Sequence, residues 1–221
     1  MKIQNRVFFL DFDGVLCNSL NESLIVSYNT YHKTSIKDLN QIPKQSREYF
    51  YNNRWIVRPA GEYYVLWKAY DMSINIDKKI FKKLKNENNS HIISFQKDFY
   101  LFREKLKKDL SYWLSLHETY HNVKEFLTTT EDELFIVTNK DKKSVELLSK
   151  YFKYDKKILS IYSMEISFDK KVLIKMAIND NNIDILNSEL IFIDDNVSNL
   201  NNIDKMDENI NTYLATWGYI D

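Results

Sequence analysis

The stretch that decides the fold is Val7–Ser19, VFFLDFDGVLCNS. From Arg6 to Leu10 the chain is apolar and rich in Phe and Val, the pattern of a strand buried on both faces of a parallel sheet. Asp11 and Asp13 follow at once. Side chains alternate along an extended chain, so both carboxylates point the same way while Phe12 points into the core. Gly14 then permits a turn that a Cβ would obstruct. The pair stands at the carboxyl edge of the sheet, where ligands bind in open α/β folds. Two carboxylates forced together repel, and a bound divalent cation relieves that repulsion. A pair of solvated acids after an edge strand accounts for Asp-x-Asp alone equally well.

Four more short apolar runs of the same kind occur at Glu133–Val137, Lys157–Tyr162, Glu189–Ile193 and Thr212–Thr216. Helical patterns separate them. Lys142–Phe152 places Val145, Leu148 and Phe152 on one face, and Lys171–Ile178 does so with Val172 and Met176. Strand and helix alternate, so residues 1–18 and 118–221 read as one α/β core with a Rossmann-like parallel sheet. Two further strand ends carry polar groups. Glu133–Val137 runs into Thr138-Asn139, and Glu189–Ile193 runs into Asp194-Asp195-Asn196 with Asn199 beyond. Turn or N-cap roles are available to each. Asp-x-Asp, Thr-Asn and Asp-Asp at three strand ends, in that order, form a constellation that such roles do not account for.

Between the two parts of the core, residues 19–117 show no buried strand pattern and read as an inserted, mostly α-helical domain. Ser94–Leu116 reads as one helix capped by Ser94, with Phe95, Phe99, Phe102, Leu106, Leu110 and Trp113 at spacings of three and four. Asn18–Tyr31, Tyr63–Tyr70 and Asp77–Lys85 also read as helices, and Lys85–Ser90 (KNENNS) as an exposed turn. No internal repeat occurs.

Composition bounds the function. The 221 residues carry 31 basic and 31 acidic side chains, so no net field draws nucleic acid or an anionic membrane. The single cysteine, Cys17, excludes an internal disulfide framework and a multi-cysteine zinc site and fits a reducing, cytoplasmic setting. The N-terminus reaches acidic residues too early for a secretory signal, and no run approaches the roughly 18 apolar residues of a membrane span. There are three glycines, where average usage of about 7% would give roughly fifteen. Gly14, Gly61 and Gly218 are thus positions where backbone geometry is expected to demand glycine.

These motifs resemble those of the haloacid dehalogenase (HAD) superfamily, in the branch with a helical cap between the first and second motifs. DFDGVLCNS is similar to the first motif, VTN to the second and FIDDNVSN to the fourth. YHNVKEFL resembles the helix-entry segment, with Asn122 where glycine is common, and ATWGYID resembles the C-terminal strand and turn. The resemblance implies that Asp11 is a nucleophile forming an aspartyl-phosphate and that Asp13 is its acid/base partner. It implies Mg²⁺ on Asp11, the backbone carbonyl of Asp13 and Asp195, with Asp194 close by. Thr138 and Asn139 would bind the phosphoryl group. The third-motif lysine would be Lys170 or Lys171, with Lys170 favoured because Ile174 falls one helical turn later. No Lys-Pro follows the strand near residue 160, a departure from the commonest form.

The implied activity is hydrolysis of a small phosphorylated metabolite. Asp13 argues against the dehalogenases, which need no acid for an alkoxide leaving group. A phosphomutase and an inactive binding module that kept the fold are the alternatives. His32, His91, His117 and His121 lack ligand spacing. In the cap, Arg54, Arg58 and the RPAGE turn (Arg58–Glu62) are the candidates for substrate contact.

Overall fold

The computed structural model describes residues 5–206 and 209–220. The chain begins with β1 (Asn5–Leu10) and the two-residue β2 (Cys17–Asn18). Six α-helices follow: α1 (Leu20–His32), α2 (Lys44–Asn53), α3 (Tyr63–Asp71), α4 (Lys78–Glu87), α5 (Asn89–Leu106) and α6 (Leu110–Ser115). Next come β3 (Glu118–Thr119), α7 (His121–Thr129), β4 (Glu133–Val137), α8 (Lys142–Phe152) and β5 (Ile158–Tyr162). The chain closes with α9 (Lys170–Asp180), β6 (Ser188–Asp194), α10 (Val197–Ile203) and β7 (Ile210–Leu214). Two compact units result, Met1–Asn18 with Glu118–Ile220, and Ser19–His117.

In the first unit the five longer strands form one parallel sheet in the order β5-β4-β1-β6-β7. β1 lies at its centre, which is why Val7, Phe8, Phe9 and Leu10 are all buried and the run carries no polar alternation. Phe9 stacks on Phe135 of β4 at 5.9 Å, and Phe8 meets Phe126 of α7 edge-on at 5.2 Å. Val7, Phe9, Phe135, Val137, Leu190 and Phe192 share a core cluster with Leu173, Ile174 and Ala177 of α9. Each large apolar side chain removed from water there stabilises the fold by about 1.5–3 kcal/mol. Asp141, Asp169 and Asn196 start α8, α9 and α10 by accepting bonds from Ser144, Lys171 and Ser198 backbone N–H groups. Because all five strands run the same way, the residues after Leu10, Val137 and Ile193 emerge at one edge. The last strand lies two residues earlier than its apolar run suggests, and Ala215 is buried just beyond it.

The second unit is helical around an aromatic core of Phe50, Tyr63, Trp67 and Phe99, with ring centroids 5.5–5.8 Å apart in the stacked pairs. Glu22 of α1 is fully buried and receives both Nε and Nη2 of Arg103 from α5, at 2.5 and 2.9 Å. A bidentate pair of this kind fixes the angle between two helices, and removing either partner alone would leave a buried charge. Gly61 is required by close approach: a Cβ there would come within 2.8 Å of Ile92 on α5.

The expected single helix over Ser94–Leu116 is instead two. α5 starts at Asn89 and ends at Leu106, and Asp109 caps a separate α6 by accepting from Tyr112 N–H. Ser94 therefore lies inside α5 and is no N-cap. Across the break only part of the stripe stays inside: Trp113 of α6 is buried like Phe95, Phe99 and Leu106 of α5, whereas Leu110 is exposed. KNENNS is likewise almost wholly helical, since α4 runs to Glu87 and only Asn88 separates it from α5. Asn88 is buried, donating to the Leu84 carbonyl and accepting from Lys68. α2 escapes a periodicity reading because it buries only Ser46 and Phe50.

Candidate active site

Asp11 leaves the sheet immediately after β1, and its N–H still donates to the Ile193 carbonyl of the neighbouring strand at 3.0 Å. Its Oδ1 accepts from Phe12 N–H at 2.7 Å, which fixes the carboxylate plane. The chain then turns sharply. Leu16 and Cys17 N–H both donate to the Phe12 carbonyl at 2.9 Å, and Gly14 adopts φ +87°. A Cβ at Gly14 would sit 2.5 Å from Asp195 Oδ2, so glycine is needed for conformation and for space. Gly218 answers to the same crowding: a Cβ there would strike the Gly14 carbonyl and come within 2.5 Å of Asp195 Cβ. The C-terminal turn is tied on by Tyr219 N–H to Asp195 Oδ2 at 2.8 Å and by Trp217 Nε1 to the Val15 carbonyl at 3.1 Å.

β6 delivers the second group of acids. Asp194 is fully buried; its Oδ1 accepts from Asn196 N–H at 2.7 Å and its Oδ2 from Asn199 Nδ2 at 2.8 Å. Carboxylate oxygens of Asp11, Asp194 and Asp195 all lie within 4.8 Å of one another. Burial, and then the charge of Asp11, push the Asp194 carboxyl well above the usual carboxylate range, against the opposing pull of Lys170. Three crowded acids offering oxygen donors only could hold a hard divalent cation. The histidines stand apart from this cluster. The carboxylate of Asp13 is also outside it, so any part Asp13 takes in holding a metal falls to its backbone carbonyl.

Two lysines divide the two first-motif acids. Lys170, at the start of α9, is 3% exposed; its Nζ donates to Asp11 Oδ1 at 2.7 Å and to the Val137 carbonyl at 2.5 Å. The same ammonium stands 3.7 Å from Asp194 Oδ2. Lys171 is only half-buried, and the structure gives Lys170 the place beside Asp11. Lys140 was not singled out in the sequence. Its Nζ reaches Asp13 Oδ1 and Oδ2 at 3.1 and 3.2 Å from a nearly inaccessible position. Its one sequence signal is its place directly after Thr138-Asn139 at the end of β4. Thr138 is buried, its N–H bonded to the Tyr162 carbonyl and its Oγ1 accepting from Lys140 N–H at 3.1 Å. Asn139 is exposed. In the helical unit, Arg54 donates to the Val57 carbonyl at 2.7 Å and lies over the Tyr63 ring at 5.4 Å. Arg58 extends an exposed side chain, and Glu62 ties its backbone N–H to Lys85.

The chain matches no family model and no curated protein. Solved structures do match over its whole length. A predicted phosphoglycolate phosphatase from Haemophilus somnus superposes with a TM-score of 0.62 at 18% identity, covering 100% of this chain and 89% of the other. A haloacid dehalogenase-like hydrolase from Streptococcus pneumoniae gives 0.61 at 14%, covering 98% and 87%. The fold is that of the HAD-like hydrolases. Protein Tyrosine Kinase A of Mycobacterium tuberculosis shares it too, with a TM-score of 0.60 at 14% identity and coverage of 99% and 87%. A HAD-like fold therefore hosts more than one chemistry, and the reaction must be argued from the site.

Proposed function

We propose that this HAD-like protein is a Mg²⁺-dependent phosphatase that hydrolyses a small phosphate monoester through an aspartyl-phosphate on Asp11. The observation that carries this reading is the Lys170 ammonium 2.7 Å from Asp11 Oδ1, while Asp13 keeps a separate lysine. One carboxylate is thereby held beside a fixed positive charge at the mouth of the sheet, and a second stands ready for proton transfer.

In the proposed cycle a carboxylate oxygen of Asp11 attacks phosphorus as the ester P–O bond breaks, and Asp13, which must carry a proton when substrate is bound, gives it to the departing oxygen and is left as the carboxylate. Asp13 then takes a proton from the water that cleaves the aspartyl-phosphate. Lys170 neutralises charge shared between Asp11 and the phosphoryl oxygens, with no reorganisation needed as that charge shifts. The Thr138 hydroxyl and the Asn139 amide would bind the same oxygens. Mg²⁺ on Asp11, Asp194, Asp195 and the Asp13 carbonyl would add electrostatic stabilisation of the transferring group. The helical unit, residues 19–117, would select the leaving group. Arg54 and Arg58 are the candidate contacts there. The balanced charge and the buried lone Cys17 support a cytoplasmic enzyme acting on a metabolite, without nucleic acid or membrane. No described helix is long and apolar enough to cross a membrane.

The test is release of phosphate from p-nitrophenyl phosphate, abolished by EDTA and restored by Mg²⁺. A rate indifferent to EDTA would contradict the metal assignment. Asp13→Asn is expected to lower turnover of alkyl phosphates by about 10²–10⁴-fold.

Metal should also be visible in stability. The raised Asp194 carboxyl contributes stability that is full below the unfolded carboxylate range and lost as pH rises through its folded value. Metal-free protein is therefore strained by its own acids at neutral pH. At free Mg²⁺ one hundred times its Kd, stability should rise by about 2.7 kcal/mol, read as an upward shift in Tm. Asp195→Ala should abolish most of that shift. An unchanged shift in this variant would remove Asp195 from the metal site.

A further inference from the structure

Lys140 has a part that the proposed cycle above does not use. It is almost completely buried, yet its ammonium ends on both oxygens of Asp13, at 3.1 and 3.2 Å, across 127 residues of sequence. Burying a lysine is costly unless the charge is paired, so this placement demands a partner. Asp13 needs a partner as well. It lies two residues from Asp11, and the oxygens of Asp11, Asp194 and Asp195 form a cluster from which the Asp13 carboxylate is excluded. The short connection from Thr138 to Lys140 is itself braced by the bond from Lys140 N–H to Thr138 Oγ1 at 3.1 Å. One backbone turn after β4 thus presents a hydroxyl and an ammonium to the site together.

We propose that Lys140 is the positioning residue for the proton-transfer step: it holds the Asp13 carboxylate in the orientation used on the leaving oxygen and keeps it off the acid cluster. Lys170 and Lys140 then share the work by partner, one on the nucleophile and one on the acid. The inference rests on the phosphatase reading and deepens it.

The consequence is a dependence on leaving group. An alkoxide needs a proton as it departs, whereas a dinitrophenolate does not. In Lys140→Met, first-turnover release from an alkyl phosphate should fall by roughly 10²-fold, the scale of a misplacement of about 1 Å. First-turnover release from dinitrophenyl phosphate should stay within about threefold of wild type, since that step requires little help from general acid catalysis. The double variant Asp13→Asn/Lys140→Met should be no slower on the alkyl ester than Asp13→Asn alone, within about twofold, because the two residues act as one unit. Mg²⁺ affinity, read by calorimetric titration, should be little changed. Lys140→Gln serves if the methionine variant does not fold. Equal losses on both esters, losses that multiply in the double variant, or a drop in Mg²⁺ affinity like that of Asp195→Ala would overturn the inference. Asp13→Asn is the control on the underlying reading. If that variant loses no activity on the alkyl ester, the phosphatase mechanism fails, whatever Lys140 does.

Discussion

Asp11→Asn should reduce phosphate release to the detection limit while leaving the far-UV circular dichroism of the wild type unchanged. The substitution replaces one nucleophilic oxygen by an amide nitrogen and removes the charge facing Lys170, with no change in volume. The fold is expected to survive, because Asp11 contributes one side-chain bond to its own loop, from Phe12 N–H, and an amide oxygen can accept that bond. Turnover has no such substitute. Asp13 and Asp194 are held by Lys140 and by the Asn196–Asn199 turn, and neither faces Lys170 as closely as Asp11 does. Retained turnover in a folded Asp11→Asn protein would exclude Asp11 as the nucleophile.

Lys170→Met should lower kcat/KM for every phosphate ester together, by about 10²–10³-fold, the usual loss when one preorganised charge is taken from a transition state. The uniform loss follows from the proposed contact, because the phosphoryl group is common to all substrates. It distinguishes Lys170 from Lys140, whose loss should follow the leaving group, and from Arg58, whose substitution should reorder physiological substrates and spare a small generic ester. Removing Lys170 also leaves Asp11 and buried Asp194 without their shared cation, so stability in the absence of metal should fall, by about 3–5 kcal/mol if neither acid takes up a proton. Kinetics measured at a temperature where the variant is fully folded separate the two effects. A loss confined to poor leaving groups would reassign Lys170 to proton transfer.

The parallel sheet was readable because its physics is local. A strand buried on both faces must be apolar without alternation, and Val7–Leu10, Leu134–Val137 and Leu190–Ile193 leave few other readings. Asp11, Asp13, Asp194 and Asp195 were readable as candidates for the same reason, since each lies within three residues of the end of such a run. The lysines were harder to read, because 31 basic residues make any one of them unremarkable, and the pair Lys170-Lys171 stood out only through the resemblance. Lys170 and Lys171 both begin the same helix; the position of Ile174 one turn later favours Lys170, and the buried route of its side chain to Asp11, 159 residues away, agrees. Lys140 depends on a pairing across the sheet that no local pattern announces. The helical unit was least legible. Its helices pack on several sides at once, so the apolar spacing runs on through the Lys107–Asp109 break, while polar Asn88 is drawn inside by Leu84 and Lys68.

Reductive trapping tests the nucleophile most directly. Asp13→Asn protein, mixed with dinitrophenyl phosphate and Mg²⁺, should form the aspartyl-phosphate readily and hydrolyse it slowly, for want of the base that activates water. Quenching with borohydride reduces an acyl phosphate to an alcohol, and mass spectrometry of the digested chain locates the residue. Homoserine at position 11, absent when substrate is omitted, is the predicted result. Phosphate release with no reduced residue, or with homoserine at position 194 or 195 instead, would contradict it.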